Sequence, residues 1–203
     1  VEEIKKTTKK TYAPLLYDLT ELQREANQRF GYSAKETLNI MQRLYENHKV
    51  LTYPRTDSRY LSKDIVPTIK DRLEACGTGP YRKLAMTAKK KDLSGKLAFV
   101  NDAKVSDHHA IIPTEQFVDL NHMTNEERKI YDLVVRRFLA VLYPPFEYEQ
   151  TQVTVKVGGE TFLASGKIVK AQGWRAAYEE EVYSAEDEEE EEAYESGKSL
   201  KGQ

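Results

Sequence analysis

The stretch Leu51-Thr-Tyr-Pro-Arg-Thr-Asp-Ser-Arg-Tyr60 places a phenol and a guanidinium two residues apart, at Tyr53 and Arg55. In an extended segment residues i and i+2 project to the same side. A free tyrosine phenol titrates near pH ~10, so it is a poor nucleophile unless its phenoxide is stabilised. A guanidinium stays charged at neutral pH, and its fork matches the oxygens of a phosphate. Arg55 can therefore hold a phosphodiester and favour the Tyr53 phenoxide together. Pro54 between them fixes φ and stiffens the pair. Asp57 and Ser58 suit a turn or helix cap just after it. The chain has 13 tyrosines, most of which must serve packing, so spacing alone leaves phosphoryl transfer one reading among several.

The histidines offer a second chemistry. His108 and His109 are adjacent, and adjacent side chains point apart, so they rarely chelate one ion together. The lone Cys76 supplies no partner spacing either, and no metal site is expected. His109 reads as a core histidine satisfied by backbone, and His48 and His122 as surface residues. Arg59 and Tyr60 are the residues near Tyr53 best suited to grip single-stranded DNA. Stacking a base on an aromatic is worth about 1–3 kcal/mol, although Tyr60 packing under the turn fits equally well. Lys83 and Lys89 to Lys91 read as a solvated face.

These side chains need elements to position them. Thr20-Glu-Leu-Gln23, Ser33-Ala-Lys-Glu36 and Thr124-Asn-Glu-Glu127 are capping-box patterns, each expected to open a helix. Gly31 should stop the first. After the second, Ala34, Leu38, Met41 and Tyr45 fall on one helical face. That helix should end near Asn47 or His48, and Lys49 to Pro54 should be a short extended approach to a turn. Ser62 can cap a helix through Ile65, Ile69 and Leu73 that ends before Gly77. The third capping box opens a helix with Ile130, Val134, Phe138 and Val141 on one side, ended by Pro144-Pro145.

The period then changes. Val153, Val155 and Val157 alternate with polar residues as in a strand. Gly158-Gly159 reads as a hairpin turn and Thr161 to Lys170 as the returning strand. With an extended entry over Ile4 to Leu16, strands bracket a helical centre. The expected fold class is α+β and multidomain: a mostly helical domain bearing the tyrosine, inserted into an antiparallel β domain. The expected boundaries are β domain at 1–18 and 147–183, helical domain at 19–146, and an acidic loop or tail at 184–203.

The 203 residues carry a formal charge of −2, which hides an asymmetry. From Glu179 onward there are 11 acidic residues against Lys198 and Lys201, leaving 29 basic and 22 acidic residues before that point, a balance of +7. A basic body suits a polyanionic partner. No apolar run is long enough for a membrane span. The first ten residues have no signal-peptide core and no initiator Met, so a fragment or processed piece is expected. A single cysteine excludes an internal disulfide and fits a reducing cytoplasm.

The decapeptide Leu51–Tyr60 resembles the active-site segment of type IA DNA topoisomerases. Leu19 to Glu46 is similar to the helices that precede it there, and Ser106-Asp-His-His-Ala-Ile-Ile-Pro-Thr114 resembles the family's histidine motif, in a form closer to the topoisomerase III branch. Gly158 to Tyr178 resembles the strand region that follows the helical domain. The resemblance implies that Tyr53 attacks one DNA strand, forms a 5′-phosphotyrosyl link and releases a 3′-OH, without ATP. Arg55 would contact the phosphate, and His108 would serve proton transfer or DNA positioning. Asp57 would orient His108. It also implies a Mg²⁺ site in a Toprim domain and a further gate domain, neither matched here, so the fragment alone is expected to be inactive and the protein cytoplasmic, at the nucleoid. Two rivals stay open: a non-catalytic single-stranded DNA-binding module, and another tyrosine transesterase such as a recombinase or relaxase.

Overall fold

Side-chain caps set where the helices begin. In a computed structural model, which describes residues 1–178, Ser33 and Thr124 each close a reciprocal capping box, with Glu36 and Glu127, and open α2 (Ala34–Glu46) and α5 (Asn125–Val141) as their sequences predict. The first helix, α1 (Leu19–Phe30), differs: its cap is Asp18, whose carboxylate accepts from Glu21 N–H at 2.7 Å, and Thr20 lies inside the helix. The frame is fixed from outside, because Leu19 N–H donates to Thr56 O at 3.0 Å. Gly31 ends α1 and Asn47 caps α2, as expected.

Ser62 precedes a helix but makes no side-chain cap bond; a 3₁₀ turn (Lys63–Thr68) containing Pro67 leads into α3 (Ile69–Cys76). A short α4 (Arg82–Ala88) follows. Burial on α2 is rotated from the expected stripe. Thr37, Ile40, Met41 and Leu44 are buried, whereas Ala34 and Tyr45 are exposed. The buried face of α2 packs on α1 and α5. Tyr45 is thereby left at the rim, where it meets another element. Helix α5 is apolar on more than one side: Leu133, Val134, Val135, Phe138, Leu139 and Ala140 are all buried, as befits a helix at the centre of a core.

Three strands, β1 (Glu3–Thr11), β2 (Phe146–Val157) and β3 (Glu160–Ala171), form one antiparallel sheet in the order β1-β2-β3. The helical stretch thus runs between two neighbouring strands. Gly158 and Gly159 form the two-residue hairpin, both with positive φ (59° and 86°), the region β-carbons avoid. The sheet touches the body at one end. Phe146 is buried there under Arg175, whose guanidinium lies 3.9 Å from the ring centroid. Gly173 packs so closely on Pro145 that a β-carbon would fall 2.1 Å from the Pro145 carbonyl oxygen, so no other residue fits. The rest of β3 is exposed, including Phe162, Leu163, Ile168 and Val169. The acidic stretch read as a loop or tail lies outside the described residues.

Candidate active site

The tyrosine segment and the histidine motif are laid side by side. Thr52 N–H donates to Ile112 O and Thr114 N–H to Val50 O, both at 3.0 Å, and Leu51 bridges Pro113. Farther along, the Thr56 hydroxyl donates to His108 O at 3.1 Å and Ala110 N–H to Tyr60 O at 2.9 Å. Ala110, Ile111 and Ile112 are buried, so the histidine motif is a floor anchored in the core. Two segments more than fifty residues apart in sequence are thereby held at fixed register.

Within the decapeptide, Thr56 N–H bonds to Pro54 O at 3.0 Å and closes a tight turn centred on Arg55. Burial alternates: Pro54, Thr56 and Ser58 face inward, Arg55 and Asp57 outward. Tyr53 is half-buried, between two rings. His108 lies against it with centroids 4.1 Å apart and planes at 33°, and Tyr45 meets it edge-on at 5.6 Å and 80°. Arg55 is exposed and has no hydrogen-bond or ion-pair partner among the described residues, so its guanidinium is available to an anion.

Of the residues singled out in the sequence, Tyr53 and His108 come together, while Arg55, two residues on, faces solvent. The expected hydrogen bond from Asp57 to His108 is not formed: the backbone alternation turns Asp57 to solvent, while its neighbour Thr56 takes the His108 carbonyl. Arg59 is held by the protein itself, Nε donating to Leu16 O at 2.9 Å and Nη2 to Leu15 O at 3.2 Å. Arg137 donates to the same Leu15 carbonyl at 2.8 Å, so the two arginines clamp the segment entering α1. Tyr60 is half-buried, with its backbone tied to Ser58 and Ala110.

His109 is satisfied by backbone as expected, with Nδ1 2.7 Å from Ala110 O, and burial holds its pKa below the usual imidazole value. His122 is exposed. His48 is not a surface residue: Nε2 lies 2.7 Å from Glu127 Oε2, and Arg43 Nε holds the other carboxylate oxygen at 3.1 Å. Burial raises the Glu127 pKa, but Arg43, the Thr124 N–H and His48 together outweigh it and leave the carboxyl below its ordinary range. Burial pushes the Cys76 thiol up to about 12, which makes it inert. No three His, Cys, Asp or Glu side chains converge on a metal-sized point among the described residues.

Sequence reasoning passed over Tyr45, Lys49 and Arg72, which line a cavity of about 600 Å³ beside Tyr53. Only Lys49 carried a signal, as a charged residue just past a helix end.

A family model described as DNA topoisomerase matches residues 1–203. The chain belongs to the type IA DNA topoisomerase family. It is 64% identical over 179 residues to DNA topoisomerase 3 of Bacillus cereus, covering 88% of this chain and 25% of that protein. It is 60% identical to DNA topoisomerase 3 of Bacillus subtilis over the same length, and 58% identical over 192 residues to that of Bacillus licheniformis. The chain therefore spans about a quarter of the length of the curated relatives it matches. Full-length topoisomerase I from Thermotoga maritima shares the structure with a TM-score of 0.62 and 26% identity, over 88% of this chain and 29% of that one. No helix among the described residues is long and apolar enough to cross a membrane.

Proposed function

We propose that this chain is the tyrosine-bearing part of a topoisomerase III-like enzyme that cleaves and reseals one DNA strand. The observation that carries the reading is the Tyr53–His108 ring contact at 4.1 Å, with the unpartnered Arg55 two residues on. Arg55 engages the non-bridging oxygens of a phosphodiester bidentately and draws negative charge off the phosphorus centre. The Tyr53 phenol gives its proton to solvent water. Its oxygen bonds to phosphorus, the P–O3′ bond breaks, and O3′ takes up a proton. The product is a 5′-phosphotyrosyl link and a free 3′-OH. Resealing is the reverse attack, so the bond energy is kept and ATP is not needed. His108 touches the ring of Tyr53 and makes no hydrogen bond to its hydroxyl, which favours a positioning role over proton transfer.

Helical residues 19–146 would act as a unit carried on the β strands of 1–18 and 147–183, which serve as hinge and arch. The adjacency of β1 and β2 across that long insertion supports this. Mg²⁺ and the rest of the DNA groove would come from other parts of a longer polypeptide working at the nucleoid. The test uses that full-length polypeptide and a single-stranded oligonucleotide labelled at either end. Denaturation should leave the 3′ label on protein and release the 5′ label, and Tyr53→Phe should abolish the adduct. An unchanged Tyr53→Phe enzyme would favour a DNA-binding module, and a retained 5′ label a recombinase. The 203-residue chain alone should leave supercoiled plasmid unrelaxed with Mg²⁺.

A further inference from the structure

The lysines that read in sequence as a solvated face, Lys83 and Lys89 to Lys91, lie on and just after α4, beside a groove that Tyr53 does not line. The groove encloses about 510 Å³ and is lined by the end of α3, by α4 and by Phe117 and Val118. Much of its lining is apolar, and two of those side chains, Met86 and Phe117, are 60% and 69% exposed. Exposed apolar side chains grouped in one groove with charge around them mark an interaction site.

The charge around them is positive. Arg82 lines the groove, Lys83 follows it on α4, and Lys90 lies just past the helix end. All three are exposed and have no ion-pair partner among the described residues. Lys89 is matched by Glu74, the one carboxylate in the lining, so the other cations keep their charge uncompensated.

The chain itself carries a segment of opposite charge. Residues 179–195, outside the described residues, hold 11 acidic side chains and no base, and Val182 and Tyr183 sit between two acidic runs. The segment begins next to the groove. Ala177 O accepts from Arg136 Nη1 at 2.8 Å, and the Arg136 guanidinium carbon lies 5.7 Å from the ring centroid of Tyr81, the residue before α4. The eight residues that follow Tyr178 span about 26 Å when extended, whereas α4, with seven residues, is about 10 Å long. Tethering keeps such a segment at an effective concentration on the order of mM, above that of a free polyanion.

We propose that residues 179–195 dock on this groove, with Val182 and Tyr183 against Met86 and Phe117 and the flanking carboxylates beside Arg82, Lys83 and Lys90. Apolar side chains bracketed by carboxylates complement an apolar wall bracketed by cations. Docking covers the exposed phenylalanine and methionine and neutralises the basic face of α4. It is independent of the chemistry read for Tyr53.

The test is zero-length carbodiimide crosslinking of the 203-residue chain, as an equal mixture of unlabelled and ¹⁵N-labelled protein, read by peptide mass spectrometry. Amide links should join glutamates of residues 179–195 to Lys83, Lys89, Lys90 and Lys91 within one chain, and not to Lys5 or Lys9 on β1. They should fall steeply in ~1 M salt, where the Debye length is ~3 Å. Phe117→Ser changes an exposed side chain, and Tyr183→Ser leaves the groove untouched. Each should lower the yield of those links about fivefold without altering any charge, while thermal melts verify the fold. Links that are absent, spread over all lysines, formed between labelled and unlabelled chains, or unmoved by both serine variants would each overturn the docking.

Discussion

Two arginines four residues apart show how different a similar motif position can be. Arg55 faces solvent without a partner, whereas Arg59 donates to the Leu15 and Leu16 carbonyls. An exposed, unpartnered side chain contributes little to stability, so Arg55→Ala should stay within about 0.5 kcal/mol of wild type. Its effect should fall on covalent adduct formation in the full-length polypeptide, by at least tenfold. Arg59→Ala removes the side-chain donor from the Leu16 carbonyl, while Leu15 O keeps Arg137, and should cost about 1–3 kcal/mol. Urea melts read beside adduct yield separate the two; an Arg55→Ala chain as unstable as Arg59→Ala would contradict the assignment. In sequence the two arginines look equally suited to DNA, because a guanidinium that meets backbone from another segment leaves no local trace. Tyr53, Arg55 and His108 stood out as candidates because each sits inside a short motif, and of these the ring contact joins Tyr53 and His108. The missing Asp57–His108 bond was not, since it depends on which way a single tight turn faces.

At the scale of elements, helix starts read well where cap and third residue agree, as at Ser33 and Thr124. The stripe on α2 was misread by part of a turn, because tertiary contact sets its phase and leaves Tyr45 against the ring of Tyr53. Glu127 shows how one cap serves two elements. It closes the box on α5 and receives His48 and Arg43 from the end of α2. Its folded pKa is lowered, so its contribution is fully present above the unfolded carboxyl value of about 4.3 and is lost as pH falls through the folded one. His109 works in a different window. Partial burial lowers its folded pKa too, so stability should already drop as pH falls below the unfolded value of about 6.5. Melts from pH 8 to pH 3 should therefore show two losses. Glu127→Gln should remove the lower one, and His109→Gln the upper one. A single loss that neither substitution changes would show that these pairs do not govern acid stability.

Over the whole molecule, the described residues divide into a packed helical body and a sheet held at its base. Alternation along β2 and the Gly158-Gly159 turn made the hairpin readable, and Val153 and Val155 of that alternation are half-buried. Phe162, Leu163, Ile168 and Val169 on β3 are open to solvent on both faces of the strand. The consequence is a gradient of local stability. At its base the sheet is fixed by buried Phe146, by the Gly173–Pro145 contact and by the Trp174 indole N–H donating to Thr11 O at 3.0 Å. Toward Gly158-Gly159 little remains but the hydrogen bonds between strands, whose outer edge on β3 is unpaired among the described residues. Opening of such a segment requires little free energy, whereas exposing α5 requires unfolding the core. Native-state hydrogen exchange should therefore find the slowest amides in α5. Within the hairpin, protection should fall steadily from Phe146 and Ala171 toward the tip, and β3 should exchange faster than β2. Tip amides as slow as those of Phe138 would mean that something covers this sheet in solution, and the hairpin would then belong to the cooperative core.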